Sequence, residues 1–196
     1  MEMRLRGVDL GWQSTHDLGL AKERAHDHAD SGGPELASLL RQIRLRPGCT
    51  ILDLGCGKGG AMITFARSGF KRVDGIELSP ELCRVARRNL GLLGLSDVHV
   101  IECDAANFVD FDGYDVVYMF NPFPEKIVSE VVSNLAVSLA GAPRSITLIY
   151  RNPVCDRAIL NGPFERRREL TVGQHVVYIY QTSPEMSAPE QQRACS

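Results

Sequence analysis

From about residue 50 onward, short apolar runs alternate with stretches whose apolar residues recur at helical spacing. The run at 50–54 (TILDL) reads as a buried strand, bounded by Pro47-Gly48 on one side and a glycine cluster on the other. A helix is predicted over 60–68, with Met62, Ile63, Phe65 and Ala66 available to pack inward, followed by a second strand at 72–78. Ser79 then suits a helix cap with Pro80 in the first turn. In that helix Leu82, Val85, Ala86, Leu90 and Leu93 trace one apolar face, Arg84, Arg87 and Arg88 fall on the other, and Gly94 ends it. Strands at 98–103 and 114–120, a helix at roughly 125–139, a strand at 145–150 and a short helix at 153–160 continue the alternation. The last two strand candidates, 164–170 and 174–181, have no helix between them.

Strands separated by helices imply parallel crossovers. The fold class expected is α/β: a doubly wound, mostly parallel seven-stranded sheet with a C-terminal antiparallel hairpin. Residues 1–33 fall outside the pattern and read as an N-terminal arm or lid, anchored by Val8, Leu10, Trp12, Leu18 and Leu20. Residues 34–181 form the domain, and 182–196 are expected to be a disordered tail. With 22 Lys+Arg against 24 Asp+Glu, the chain has no basic field of the kind a sequence-independent nucleic-acid binder needs. Arg166-Arg167-Arg168 is a local basic run that also fits a solvated strand. Six scattered cysteines without a CxxC pair, a polar start and no long apolar run point to a cytoplasmic protein with reduced thiols.

The chemistry concentrates in Asp53-Leu54-Gly55-Cys56-Gly57-Lys58-Gly59-Gly60, between the first strand and the first helix. In a doubly wound sheet this turn lies at the edge where ligands bind, and its glycines let the backbone come close to one. Glu77 follows 22 residues after Gly55, near the end of the second strand, where a ribose diol would find an acceptor. A dinucleotide would bring a pyrophosphate, for which Asp53 is an awkward neighbour. S-adenosylmethionine brings a sulfonium and an ammonium instead, which suit that carboxylate. The spacing of Gly55, Gly57 and Gly59 also departs from GxGxxG, although Gly60 gives a partial overlap.

These stretches, ILDLGCGKGG (51–60) and VDGIELSPE (73–81), are similar to the first two motifs of class I, Rossmann-like S-adenosylmethionine-dependent methyltransferases. The resemblance covers about residues 48–181. It implies a cofactor site at Asp53, Gly55, Cys56, Gly57, Gly59, Glu77 and Leu78. It further implies that Asp104 and Ala105 hold the adenine, and that S-adenosyl-L-homocysteine is the product. Gly7-Val8-Asp9, the DLGxGKG loop and the Asn-Pro-Phe motif resemble a bacterial group of small methyltransferases without an assigned substrate.

Asn121-Pro122-Phe123-Pro124 occupies the family's fourth motif, on the acceptor side. In amino-group methyltransferases a related Asn-Pro-Pro-aromatic motif accepts the amino hydrogens and stacks on a flat acceptor. Here the aromatic comes one residue early. Asn121, Pro122 and Phe123 are therefore the catalytic candidates, and a nitrogen of a small molecule or protein is the expected acceptor. A proline-rich turn alone would also give this tetrapeptide. Tyr150 and Asn152, after the fifth strand, and His16 and Trp12, in the arm, are further acceptor-side candidates. His26-Asp27-His28 reads as a polar loop, so no metal and no membrane partner are expected. A catalytically silent cofactor-binding partner domain stays open as an alternative, as does a dinucleotide-binding protein.

Overall fold

The computed structural model describes residues 7–21 and 23–182. The expected tail, but for Thr182, and the first six residues of the arm lie outside them. Seven strands form one sheet: β1 (Thr50–Leu54), β2 (Arg72–Glu77), β3 (Val98–Glu102), β4 (Val116–Phe120), β5 (Thr147–Arg151), β6 (Phe164–Val172) and β7 (His175–Thr182). Their order is β3-β2-β1-β4-β5-β7-β6. The first five run parallel, and β7 pairs antiparallel with both β5 and β6. The chain reverses its direction of winding between β1 and β4, so ligand-facing loops gather at the C-terminal ends of those two strands.

Alternate residues of the central strands enter two separate cores, as the two-residue period of a strand requires. On one face Leu52, Leu54, Val117, Met119 and Leu148 pack beneath α4 (Glu125–Gly141) and α5 (Asp156–Leu160). On the other, Ile51, Val73, Val116, Tyr118 and Ile149 meet α1 (Pro34–Ile43) and α2 (Gly60–Ala66). The helix α3 (Pro80–Leu92) adds Leu90 to this second core, and Ser79 caps it by accepting the amide of Leu82.

The helix α1 was not among the expected elements, although its signal is in the chain: Pro34 in the first turn and leucines at 36, 39 and 40 on one buried face. The expected helix at 153–160 shortens to α5, because Asn152 takes a left-handed backbone (φ 53°) and the next residues turn before the helix begins. Arg166 and Arg168 straddle a β-bulge in β6, which sends the three consecutive arginines in different directions.

Candidate active site

The loop after β1 is tied to the end of β2: the amides of Gly55 and Cys56 both donate to the Ile76 carbonyl at 2.9 Å. Gly55, Gly57 and Gly59 all have left-handed backbones. At Gly55 the space is also needed, since an added Cβ would stand 2.5 Å from the Pro122 side chain. Gly59 instead backs onto Ala86 of α3, so it serves helix packing and does not face the slot.

Two carboxylates lie beneath this loop. Asp53 is buried, its Oδ2 has no hydrogen-bond partner among the described residues, and burial, reinforced by Glu77 and Asp30, pushes its pKa up to about 8. Glu77 is buried too, and burial raises its pKa, but backbone amides oppose that rise. Its Oε2 accepts from Gly57 at 2.9 Å and its Oε1 from Ser79 at 2.8 Å. Each oxygen keeps acceptor capacity for a further donor.

The neighbouring strand ends bring the other expected residues to the same edge. Asp104 accepts the Ala106 amide through Oδ1, while Ala105 turns into the core. Asn121 has a left-handed backbone (φ 40°), and its Oδ1 accepts from the buried Tyr150 hydroxyl at 3.3 Å. The Tyr150 oxygen also takes the amide of Cys155 at 3.4 Å, so it fixes the turn after β5 as well. The Phe123 ring is buried in the core beneath the glycine loop. The aromatic ring that lines the open cleft is Phe120, which holds the Arg151 guanidinium 4.9 Å from its centroid.

The arm lies across this edge and uses the same groups. Arg24 pairs with Asp104. The His26 amide donates to the Pro122 carbonyl at 3.0 Å, and its ring Nδ1 lies 2.9 Å from the Asn121 carbonyl. The His28 ring fills the space next to Gly57, where a Cβ would collide with it, and burial lowers its pKa to about 4. Asp27 lines both cavities at this edge and accepts both the amide and the hydroxyl of Thr15. The arm is pinned at its start by Asp9, whose Oδ2 pairs with the buried Lys58 ammonium at 2.9 Å. Asn89 of α3 adds two bonds to the Asp9 backbone.

Two cavities result. A slot of about 50 Å³ is lined by Asp53, Gly55, Cys56, Gly57, Glu77 and Leu78 from the domain, by the predicted Pro122 and Phe123, and by the arm segment 25–31. An open cleft of about 450 Å³ adjoins it, lined by Phe120, Asn121 and Asn152 together with Thr15 and His26. Trp12 is 64% exposed and the His16 side chain 94% exposed, and neither lines these cavities. Arg24, His26, His28 and Phe120 were not foreseen as site residues. Nothing local marks the first three, because their partners lie tens of residues away in sequence.

Residues 51–140 match the family described as methyltransferase domain. The uncharacterized protein YjhP of Escherichia coli (strain K12) is 41% identical over 81 residues, 41% of this chain and 33% of that protein. A protein-L-isoaspartate O-methyltransferase of Pyrococcus horikoshii is 33% identical over 94 residues, 47% of this chain and 43% of that enzyme. The chain therefore spans less than half the length of these relatives. Among solved structures, an RNA methyltransferase from Salinibacter ruber in complex with S-adenosyl-L-homocysteine superposes with a TM-score of 0.64 at 19% identity. That superposition covers 82% of this chain and 96% of that one. Residues 51–140 are thus similar to a methyltransferase domain, and the chain shares the fold of that solved methyltransferase.

Proposed function

We propose that the protein transfers a methyl group from S-adenosylmethionine to an acceptor nitrogen of a small molecule or protein. The observation that carries this reading is the Asp53 carboxyl, buried with an unpartnered oxygen beside the glycine loop. An orphaned buried carboxyl is costly unless a ligand completes it, and a cationic ligand does so best. The donor set therefore fits the cofactor: Asp53 for positive charge, both Glu77 oxygens for a diol, and Asp104 for the adenine amino group once Arg24 releases it. The space does not yet fit, since a ligand pocket usually offers about 300–1,000 Å³. Binding requires the segment 25–31 to lift.

When bound, the cofactor supplies an electrophilic methyl carbon on a good leaving group. The protein's own contribution is then placement of the nucleophile, which supplies much of the acceleration in such displacements. Asn121 is held by Tyr150 with acceptor capacity left on its side-chain oxygen. The carbonyls of Asn121 and Pro122 point toward the arm, and His26 currently takes both. An amine acceptor would replace His26 at these carbonyls, which would orient its lone pair and dispense with a strong base. Phe120 would supply the flat wall for that acceptor. Closure of the arm over the loaded site would exclude water.

The Asp9–Lys58 pair supports membership of the small bacterial group, because it gives a physical reason for Gly-Val-Asp and the glycine-loop lysine to occur together. The free cysteines at 49, 56, 83, 103 and 155 support a cytoplasmic location. A second reading is favoured by the filled slot: a silent partner domain whose arm permanently occupies the cofactor position. Calorimetric titration with S-adenosylmethionine and S-adenosyl-L-homocysteine separates the two, with NADH and Glu77→Ala as controls. Saturable binding of both, lost in the variant and absent for NADH, supports the enzyme. Folded protein that binds neither sinks it.

A further inference from the structure

Outside the proposed methyl site, a groove of about 760 Å³ lies between α1 and α2. Leu40, Leu45, Ile63 and Phe70 line its floor, and its rim carries Arg41, Arg44, Arg46 and Arg67. We propose that this groove is a second ligand site that takes a nucleotide: a flat base, apolar on its faces, joined to a phosphate.

The size and the apolar floor with a few polar groups match an ordinary small-ligand pocket. The rim narrows the chemistry. Arg46 is committed to Asp115 at 2.9 Å, whereas Arg41, Arg44 and Arg67 are exposed and make no ion pair or side-chain hydrogen bond among the described residues. The C-terminal ends of α1 and α2 favour cations, which accounts for arginines near those ends. It does not account for an apolar trough left open between them. Asp30 is the one carboxylate in the lining, and it already accepts the Gly32 amide at 2.9 Å. Three unpaired guanidiniums would overcompensate a single carboxylate, while a phosphate monoester brings about −1.5 to −2 charges at neutral pH. Guanidinium forks also match phosphate oxygens two at a time and stack on flat rings, and the Phe70 ring lines the same groove. A simple fatty acid would use the floor and leave most of the rim unused.

The phosphate-bearing body has two sources, a free nucleotide or the 5′-terminal residue of a single-stranded nucleic acid. The site is distinct from the methyl slot, with which it shares only Asp30 and Gly60 in its lining. It is therefore testable whether or not the methyl-transfer reading holds.

The experiment titrates the full chain with guanosine 5′-monophosphate, guanosine, inorganic phosphate, decanoate and a 5′-phosphorylated RNA hexamer. The wild type is compared with Arg41→Gln/Arg44→Gln/Arg67→Gln, in which the stems are kept and the charge is removed. Saturable binding of the monophosphate is expected, weakened roughly tenfold or more in the triple variant and by added salt. Guanosine and phosphate alone should each bind more weakly than the monophosphate. The hexamer binding more tightly than the monophosphate would assign a strand end, and the reverse would assign a free nucleotide. Retained circular dichroism and an unchanged melting temperature show that the variant is folded. The proposal is overturned if the monophosphate does not saturate at millimolar concentration, if the triple variant binds it equally well, or if decanoate binds as tightly.

Discussion

Asp53 shows how a buried carboxyl with an unpartnered oxygen costs a protein stability. Its pKa is about 8 in the folded chain, against a model-peptide value of 3.8, mainly because burial disfavours the carboxylate. As pH rises above 3.8 the unfolded chain gives up this proton and the folded one keeps it. The contribution of Asp53 to stability is therefore fully present below 3.8 and is lost as pH rises towards 8, by about 1.4 kcal/mol per pH unit. Asp53→Asn removes that loss, so the variant should melt higher than the wild type at pH 7 and converge with it near pH 4. A variant that melts lower at both pH values would show that the carboxyl is structural. The same carboxyl must ionise to receive a cation. S-adenosylmethionine should then bind with proton release, read by calorimetry in buffers of differing ionisation heat, and bind more tightly as pH approaches 8. Asp53→Asn should weaken that binding roughly tenfold or more. Equal affinity across pH 6 to 8 would contradict the assignment of Asp53 to the cationic end.

Among the elements, the arm makes the contacts that bear on the proposed site. Under the proposed function, its contacts with Asp104, Pro122 and Gly57 would open before the cofactor enters, so the arm would compete with that ligand. Arg24→Ala should therefore raise the association rate of S-adenosylmethionine several-fold in stopped-flow fluorescence. An unchanged rate would mean that the arm opens independently of that pair. The anchor is tested separately. Asp9→Ala leaves the buried Lys58 ammonium without its partner and should cost about 2 kcal/mol in denaturant unfolding. Adding Lys58→Met, which replaces the charge by an apolar stem, should restore most of that loss. This contrast marks what the sequence could show. The strands and all α-helices but α1 were legible because their periodicity is local, and the glycine loop with Glu77 was legible because its spacing is. The arm was visible only as a polar stretch that fits no repeat. Its roles come from pairings such as Asp9 with Asn89, 80 residues apart, which no local pattern announces. The Phe123 ring was legible as near the site but not in its placement: Pro124 leads straight into α4, and the ring sits beneath the glycine loop, where it lines the slot.

At the scale of the whole molecule, the antiparallel addition of β7 and β6 moves the sheet's open edge away from the parallel strands that carry the site. The edge strand β6 offers nine residues to any other chain able to pair with it, and such an edge needs protection. The arginine run supplies it. Arg166 lies over the Tyr178 ring, 4.3 Å from its centroid, and reaches Asp156. Arg167, at the bulge, pairs with Glu165 at 2.8 Å, and Arg168 donates to the Gln42 carbonyl at the end of α1 at 3.0 Å. The run that could have signalled a nucleic-acid surface is thus mostly spent on the edge itself. The bulge twists β6, and the charges would oppose pairing of its outer edge with a second copy. Arg167→Val/Arg168→Val should remove the repulsion while keeping β propensity. Light scattering after size exclusion should then show mass increasing with protein concentration, at a melting temperature within a few degrees of the wild type. If the variant keeps the same mass as the wild type across that range, the edge is guarded by the bulge alone, and deleting Arg167 to straighten β6 becomes the change that should expose it.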